Sequence, residues 1–270
     1  MKNVILTMHD PKIHEGWNFL FTTVSKMSHF LITKVGKFFI VHGKQLKKEF
    51  SQNYSIKPQN IFIAPLGWYN SNLLKKYSEK NVSIKKGNIL FFGRIQKYKG
   101  LDFLLESFND ISKTHSYVSL TICGEPLISN FLPYKKYIHK GQNIKYIPLK
   151  NYYDYKKISF YFLRSEMVVL PYISATASGV IPNAMVFKKP VIATSVGAIP
   201  ETIISGENGI LVPPKDKDAL SKAIISLLDD ETFSRKLGIN GFNYLQEFQS
   251  TEKLGEIHKT IYLKLKGINK

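Results

Sequence analysis

From Lys75 onward the chain alternates between two patterns of apolar positions. Short and nearly unbroken apolar runs occur at Ile89–Phe92, Val118–Cys123, Ile144–Ile147, Met167–Leu170, Val191–Ala193 and Ile210–Val212. Runs of this kind read as strands covered on both faces. Between them, Leu101–Ser112, Tyr152–Leu163, Gly179–Phe187, Ala219–Leu228 and Thr232–Gln246 space their apolar residues by three and four, the period of an amphipathic helix. Strand and helix in strict alternation predict an α/β fold, a parallel sheet with helices on both faces. After Pro213-Pro214, Asp216 or Asp218 stands where the next helix needs a cap.

Residues before Lys75 show a shorter version of the same pattern. Val4–Met8, Phe38–Val41 and Ile61–Ala64 read as strands, and a long amphipathic helix from Gly16 to Val35 joins the first two. A full doubly wound domain takes about 100–150 residues, so this is a partial one. The expected division is a partial domain over 1–74, a complete one over 75–250, and a last helix over 251–270 that packs back on the N-terminal part. Lys75 to Gly87, polar and lysine-rich, is expected to link the first two.

Composition narrows the class. With 270 residues, 44% of them hydrophobic, the chain can bury a sizeable core. Its single cysteine, Cys123, ends an apolar run, which predicts a buried thiol in a reducing compartment and excludes an internal disulfide framework. The longest apolar stretch, Trp17 to Val41, is broken by Lys26, Lys34 and Lys37, short of the roughly eighteen residues a membrane span requires. No secretory-signal pattern follows Met1, so a cytoplasmic location is expected.

The net charge of +18 is uneven: residues 1–160 carry 25 Lys/Arg against 9 Asp/Glu, and the rest carry 13 against 11. That asymmetry predicts an anionic partner for the first part, a membrane surface or a phosphorylated substrate. Nucleic acid is not expected, because the excess is lysine and no nucleic-acid-binding motif accompanies it.

The candidate chemistry lies where strands end. Phe91-Phe92-Gly93-Arg94 leads through Lys99-Gly100 into a helix, so two cations sit beyond the carboxyl end of a strand, where open α/β sheets bind ligands. Only 3 of the 38 basic residues are arginine, which marks out Arg94. A second strand ends in Gly124-Glu125. A third leads through Pro171-Tyr172 into the small-residue loop Ser174-Ala175-Thr176-Ala177-Ser178-Gly179-Val180, and a fourth into Val196-Gly197-Ala198-Ile199-Pro200-Glu201. Backbone N–H groups at the loop's end suit an anion. No histidine cluster has metal-ligand spacing, and no metal is expected.

In order and spacing, from about Lys75 to Gln246, these stretches resemble the nucleotide-sugar-binding domain of glycosyltransferase family 4, retaining enzymes of the GT-B fold among the group 1 glycosyl transferases. The resemblance implies two Rossmann-like domains and transfer of a sugar from a nucleoside-diphosphate sugar to a hydroxyl acceptor, with a surface polysaccharide or another glycan as product. It assigns Arg94 and Lys99 to the donor diphosphate, Gly124 to the donor site, and the backbone of Ser178, Gly179 and Val180 to the same phosphates. Family members usually carry two glutamates in the third stretch, for the transferred sugar and the ribose; here those positions are Ala175 and Asn183. Asn183 retains a ribose contact, whereas Ala175 makes no polar side-chain contact.

The N-terminal fragment matches the latter part of the family's acceptor-side domain. Thr7-Met8-His9-Asp10 resembles the strand end whose histidine faces the donor sugar, which makes His9 the catalytic candidate, and Pro11 to Gly16, with His14 and Glu15, resembles the loop after it. Ile40-Val41-His42-Gly43 and Ala64-Pro65-Leu66-Gly67 match the next strand ends. The family's glycine-rich first half of that domain has no counterpart, so either a partner polypeptide or a second copy completes the fold, or the chain is N-terminally truncated. A glycan or lipid-linked acceptor follows from the resemblance, with the basic helix before Val35 as a contact to the inner face of the membrane.

Overall fold

The computed structural model describes residues 4–10, 19–66, 71–78, 81–126 and 131–267. His14, Glu15 and Gly67 lie outside these residues.

A small parallel sheet opens the chain, with strands in the order β1 (Ile5–Thr7), β2 (Phe38–Val41), β3 (Ile61–Ile63). Helix α1 (Phe19–Val35) connects β1 to β2, and α2 (Lys44–Tyr54) connects β2 to β3. The two-residue alternation of β2 separates two cores. Phe39 and Val41 pack with Met8, Leu46 and Phe50; Phe38 and Ile40 pack with Ile261 and Leu265. Those last two belong to α10 (Thr251–Gly267), which therefore covers one face of the small sheet. Helix α1 is less well covered: Ile32 meets the core, while Val24, Met27, Phe30, Leu31 and Val35 are exposed, Phe30 and Leu31 each at 56%.

After α3 (Ser71–Lys76) comes the larger sheet. Its strands are β4 (Asn88–Phe92), β5 (Ser119–Gly124), β6 (Ile144–Pro148), β7 (Met167–Leu170), β8 (Val191–Thr194) and β9 (Ile210–Val212), all parallel, in the spatial order β6-β5-β4-β7-β8-β9. The helices between and after them are α4 (Leu101–Thr114), α5 (Leu132–Lys135), α6 (Tyr155–Arg164), α7 (Val180–Val186), α8 (Lys217–Asp229) and α9 (Glu231–Phe248). Ile89 and Phe91 enter one core with Leu104, Phe108 and Ile224; Leu90 and Phe92 enter the other with Phe162, Ile181 and Leu245. Both faces are thus filled, as continuous apolar strands require. Aspartates cap three of the helices: Asp154 accepts from Lys157 N at 3.0 Å, Asp216 from Ala219 N at 2.9 Å and Asp230 from Phe233 N at 2.8 Å.

Three helices differ from the sequence reading, the shortest being the single turn of α5. Lys44–Tyr54 is a helix that the pattern does not announce, because only Leu46 and Phe50 of its residues are buried. Part of the expected linker is α3, whose Leu74 is buried in the larger sheet's core and whose carbonyl accepts from Ser159 Oγ at 2.7 Å.

Candidate functional site

The strand order places a topological switch between β4 and β7, where the sheet stops growing one way and starts growing the other. Ligands of open α/β sheets bind in the crevice beyond the carboxyl ends at that point. Three glycines shape this crevice. Gly93 turns out of β4 with φ of 120°, and a Cβ there would lie 3.9 Å from Val180 Cγ2, so the turn faces the start of α7. At Gly124 a Cβ would come 1.9 Å from the Gly93 carbonyl oxygen, so this glycine acts by letting β5 pass close beneath the turn. Gly100 (φ 65°) lies against the loop after β7: a Cβ there would be 1.9 Å from Pro171 O. The same loop is tied back by Ile173 N donating to Tyr98 O at 2.7 Å.

The predicted cations border this crevice. Arg94 is exposed. Lys99 is half-buried, with Nζ 3.7 Å from the centre of the Tyr172 ring, a cation–π contact that orients the ammonium. Burial pushes the Tyr98 phenol up, and the charges of Lys99, Asp10 and Arg94 all act on it. Of these, Lys99 also lies over the Tyr98 ring, its Nζ 5.2 Å from the centre.

Across the crevice, Ser178 is buried, and its hydroxyl is held within the loop by Tyr172 Oη at 3.2 Å and by Val180 N, which donates to it at 3.3 Å. Gly179 is exposed, and a Cβ there would meet nothing within 4 Å. Val180 begins α7, and Asn183, half-buried, follows on that helix. With seven residues α7 has little dipole, so the cations carry most of the electrostatics. Ser174 Oγ is buried without a partner among the described residues, a polar atom that a ligand can satisfy.

The small sheet closes the other side. Asp10, just after β1, accepts a short hydrogen bond from Thr176 Oγ1 in the loop after β7. His9 beside it is exposed, and its Nδ1 lies 2.8 Å from His42 Nε2. Glu201 reaches over from the larger sheet and accepts from Lys44 N at 2.7 Å and Gln45 N at 2.9 Å, an acid on the N-terminus of α2. Gly43 permits that approach, since a Cβ there would come 2.6 Å from Ala198 Cβ and 2.8 Å from Glu201 Oε1.

Cys123 is fully buried, and burial pushes its thiol up to about 12, so it is unreactive in the fold. Among the described residues no group of three or more His, Cys, Asp or Glu side chains forms a metal-binding cluster. The Asp216-Lys217-Asp218 triplet, although spaced like some metal-binding pairs, marks the start of α8, where Asp216 is the cap.

The family model described as "Glycosyl transferases group 1" matches residues 75–244, the whole of the larger sheet and the crevice-side loops after β4, β5, β7 and β8. The chain belongs to the group 1 glycosyl transferases. Among similar members of this family, the capsular polysaccharide biosynthesis glycosyltransferase CapM of Staphylococcus aureus is 25% identical over 253 residues, covering 90% of this chain and 65% of CapM. The solved structure of Anabaena HepE with UDP-glucose aligns at a TM-score of 0.78 and 17% identity, over 97% of this chain and 72% of HepE. The C-terminal domain of the group 1 protein LpcC of Francisella tularensis aligns at a TM-score of 0.56 and 25% identity, over 65% of this chain and 96% of that domain. The chain thus spans about two thirds or less of the curated relatives it matches. Its fold is the GT-B architecture of these glycosyltransferases, in the parts described here.

Sequence reasoning identified the strand-end loops but missed the contact between the ends of β1 and β2 and the two contacts that join the sheets. His42, Thr176 and Glu201 lie within quoted stretches, yet their partners are 33, 166 and about 157 residues away. The available signal was chemical: a histidine, a hydroxyl and an acid, each at the end of a strand.

Proposed function

We propose that the chain is the donor-binding part and cleft of a retaining glycosyltransferase that uses a nucleoside-diphosphate sugar to build a polysaccharide or another glycan. The observation that carries this reading is the approach of the Gly93-Arg94 turn to the start of α7 at the sheet's switch point, with Lys99 oriented alongside. Arg94 and Lys99 neutralise the diphosphate as it leaves, when its charge grows. The backbone at Ser178, Gly179 and Val180 adds hydrogen bonds, Val180 N exchanging its long bond to Ser178 Oγ for the phosphate, while Gly124 shapes the turn, Asn183 meets the ribose, and His9 meets the sugar from the opposite sheet. Arg94 and Lys99 supply the charge a metal otherwise supplies, so no metal is required.

The capsular role in CapM's name and the UDP-glucose in HepE support the donor and product classes. Calorimetry with UDP, GDP and ADP tests the site. Micromolar binding that weakens at least tenfold in Arg94→Ala is expected, and equal affinity in wild type and variant would overturn the assignment.

Ala175 favours a second reading, a subunit that binds nucleotide-sugar and transfers nothing without a partner. The edge of β1, unpaired among the described residues, and the exposed Phe30 and Leu31 support a surface covered by further polypeptide, with peripheral contact to the cytoplasmic face of a membrane as the competing occupant. No helix among the described residues is long and apolar enough to cross a membrane. A transfer assay with and without vesicles, and with a full-length relative's N-terminal segment added, separates these readings.

A further inference from the structure

His42 is bonded at both ring nitrogens. Its Nδ1 lies 2.9 Å from the carbonyl oxygen of Ala64, just after β3, and its Nε2 lies 2.8 Å from His9 Nδ1. A carbonyl oxygen only accepts, so His42 Nδ1 carries a proton. A neutral imidazole carries one ring proton, so His42 Nε2 accepts, and the proton it accepts sits on His9 Nδ1. That leaves His9 Nε2 bare. We infer that His42 is the positioning residue that fixes His9 as its Nδ1–H tautomer and makes the exposed Nε2 a hydrogen-bond acceptor.

The surroundings support a neutral His42. Burial holds it below the ordinary imidazole range, opposed by the Ala64 carbonyl, with His9 and His258 also lowering it and Asp10 raising it. Among the described residues, the charges that act on it are those of His9 and Asp10 beyond β1 and His258 on α10, and two residues further along the chain the Glu201 carboxylate accepts from Lys44 N at the start of α2. Asp10 is itself held by Thr176, and the seam beside His42 is lined by Ala177, Ser178 and Ala198 of the larger sheet.

A bare Nε2 accepts from a sugar hydroxyl. If it takes up a proton, His9 still donates to His42 through Nδ1, and His42 still donates to Ala64. When His42 is protonated instead, both its nitrogens become donors. His9 Nδ1 must then accept, and its proton moves to Nε2, which turns the acceptor into a donor. Turnover therefore falls on the acid side as His42 takes up its proton.

The functional consequence rests on the glycosyltransferase reading; the tautomer does not. Long-range proton–nitrogen NMR of the histidine-labelled wild-type chain at pH 7.5 reads the tautomer directly, with His9→Gln used for assignment. His9 protonated at Nδ1 is expected, and His9 protonated at Nε2 or present as an equal mixture overturns the inference. In His42→Ala the tautomer becomes mixed and turnover of UDP-glucose falls about tenfold or more in kcat with KM unchanged. In His42→Gln, whose amide oxygen can accept from Nδ1–H, both are restored. Loss of the tautomer in His42→Ala without loss of kcat overturns the positioning role. A fixed tautomer in a chain that neither binds nor turns over nucleotide-sugars upholds the tautomer assignment and refutes the activity reading alone.

Discussion

Gly100 and Gly179 both border the crevice, and each does something different there. At Gly100 the backbone has φ of 65°, and a Cβ would overlap Pro171 O at 1.9 Å. Gly100→Ala is therefore expected to destabilise the fold by about 2 kcal/mol or more, because both strain and overlap oppose it. It should also weaken nucleoside-diphosphate binding, since Lys99 precedes the disturbed turn. Gly179 has φ of −69° and open space where a Cβ would stand. Gly179→Ala should leave stability within about 0.5 kcal/mol while lowering nucleoside-diphosphate affinity, because the methyl group occupies space meant for a phosphate. Thermal unfolding and calorimetry on the two variants measure this split. Equal effects on stability and affinity in both would remove the distinction between a glycine that shapes the turn and one that admits the ligand.

Among the elements, α2 depends most on a contact from outside its own sheet. Its N-terminal residue Gly43 makes no side-chain cap, and no acid lies in its first turn. Glu201, in the 3-10 turn midway through the loop after β8, supplies both the hydrogen-bond acceptor and the negative charge. Glu201→Ala is expected to cost about 1–2 kcal/mol, the usual loss of a helix cap, with the loss appearing in the small sheet. Urea unfolding followed by near-ultraviolet circular dichroism provides the check, and a variant as stable as wild type would show that water replaces the carboxylate.

The same contact explains what the sequence could reveal. The central strands of the larger sheet, β4, β5, β7 and β8, were legible because each is buried on both faces, so Leu90 and Phe92 read as apolar as Ile89 and Phe91. The cations at Arg94 and Lys99 were legible because a strand end locates its loop. Helix α2 was not, since it buries only Leu46 and Phe50 among lysines and polar residues and is capped by a distant residue. The pairing of His9 with His42 was hidden for the same reason: β1 and β2 must first lie side by side.

Over the whole molecule the two sheets differ in how completely they are covered. The larger sheet has two filled cores, whereas among the described residues β1 has no strand on its outer side and α1 has an exposed apolar side. Amides of β1–β3 should therefore exchange with solvent faster than those of β4, β5, β7 and β8, because local opening follows the thinner packing. Acid should widen the gap. Burial lowers both His29, next to Tyr54, and His42, and both belong to the small sheet's half. Their folded-state values lie below the ordinary 6.5, so the unfolded chain takes up protons first as pH falls below 6.5. The stability they contribute is complete above that value and is lost as pH falls through the folded values. After correction for intrinsic rates, exchange at pH 5.5 should accelerate in β1–β3 relative to pH 7.5 and change little in β4 and β5. A saturating nucleoside diphosphate, at one hundred times its Kd, should add about 2.7 kcal/mol to the larger sheet. The buried Cys123 reports that gain, because its thiol reacts only when β5 opens. If ligand slows labelling of Cys123 but not exchange in β1–β3, the diphosphate is held by the larger sheet alone. If it slows both, the seam of Asp10, Thr176 and Glu201 couples the two sheets, and donor binding tightens the cleft.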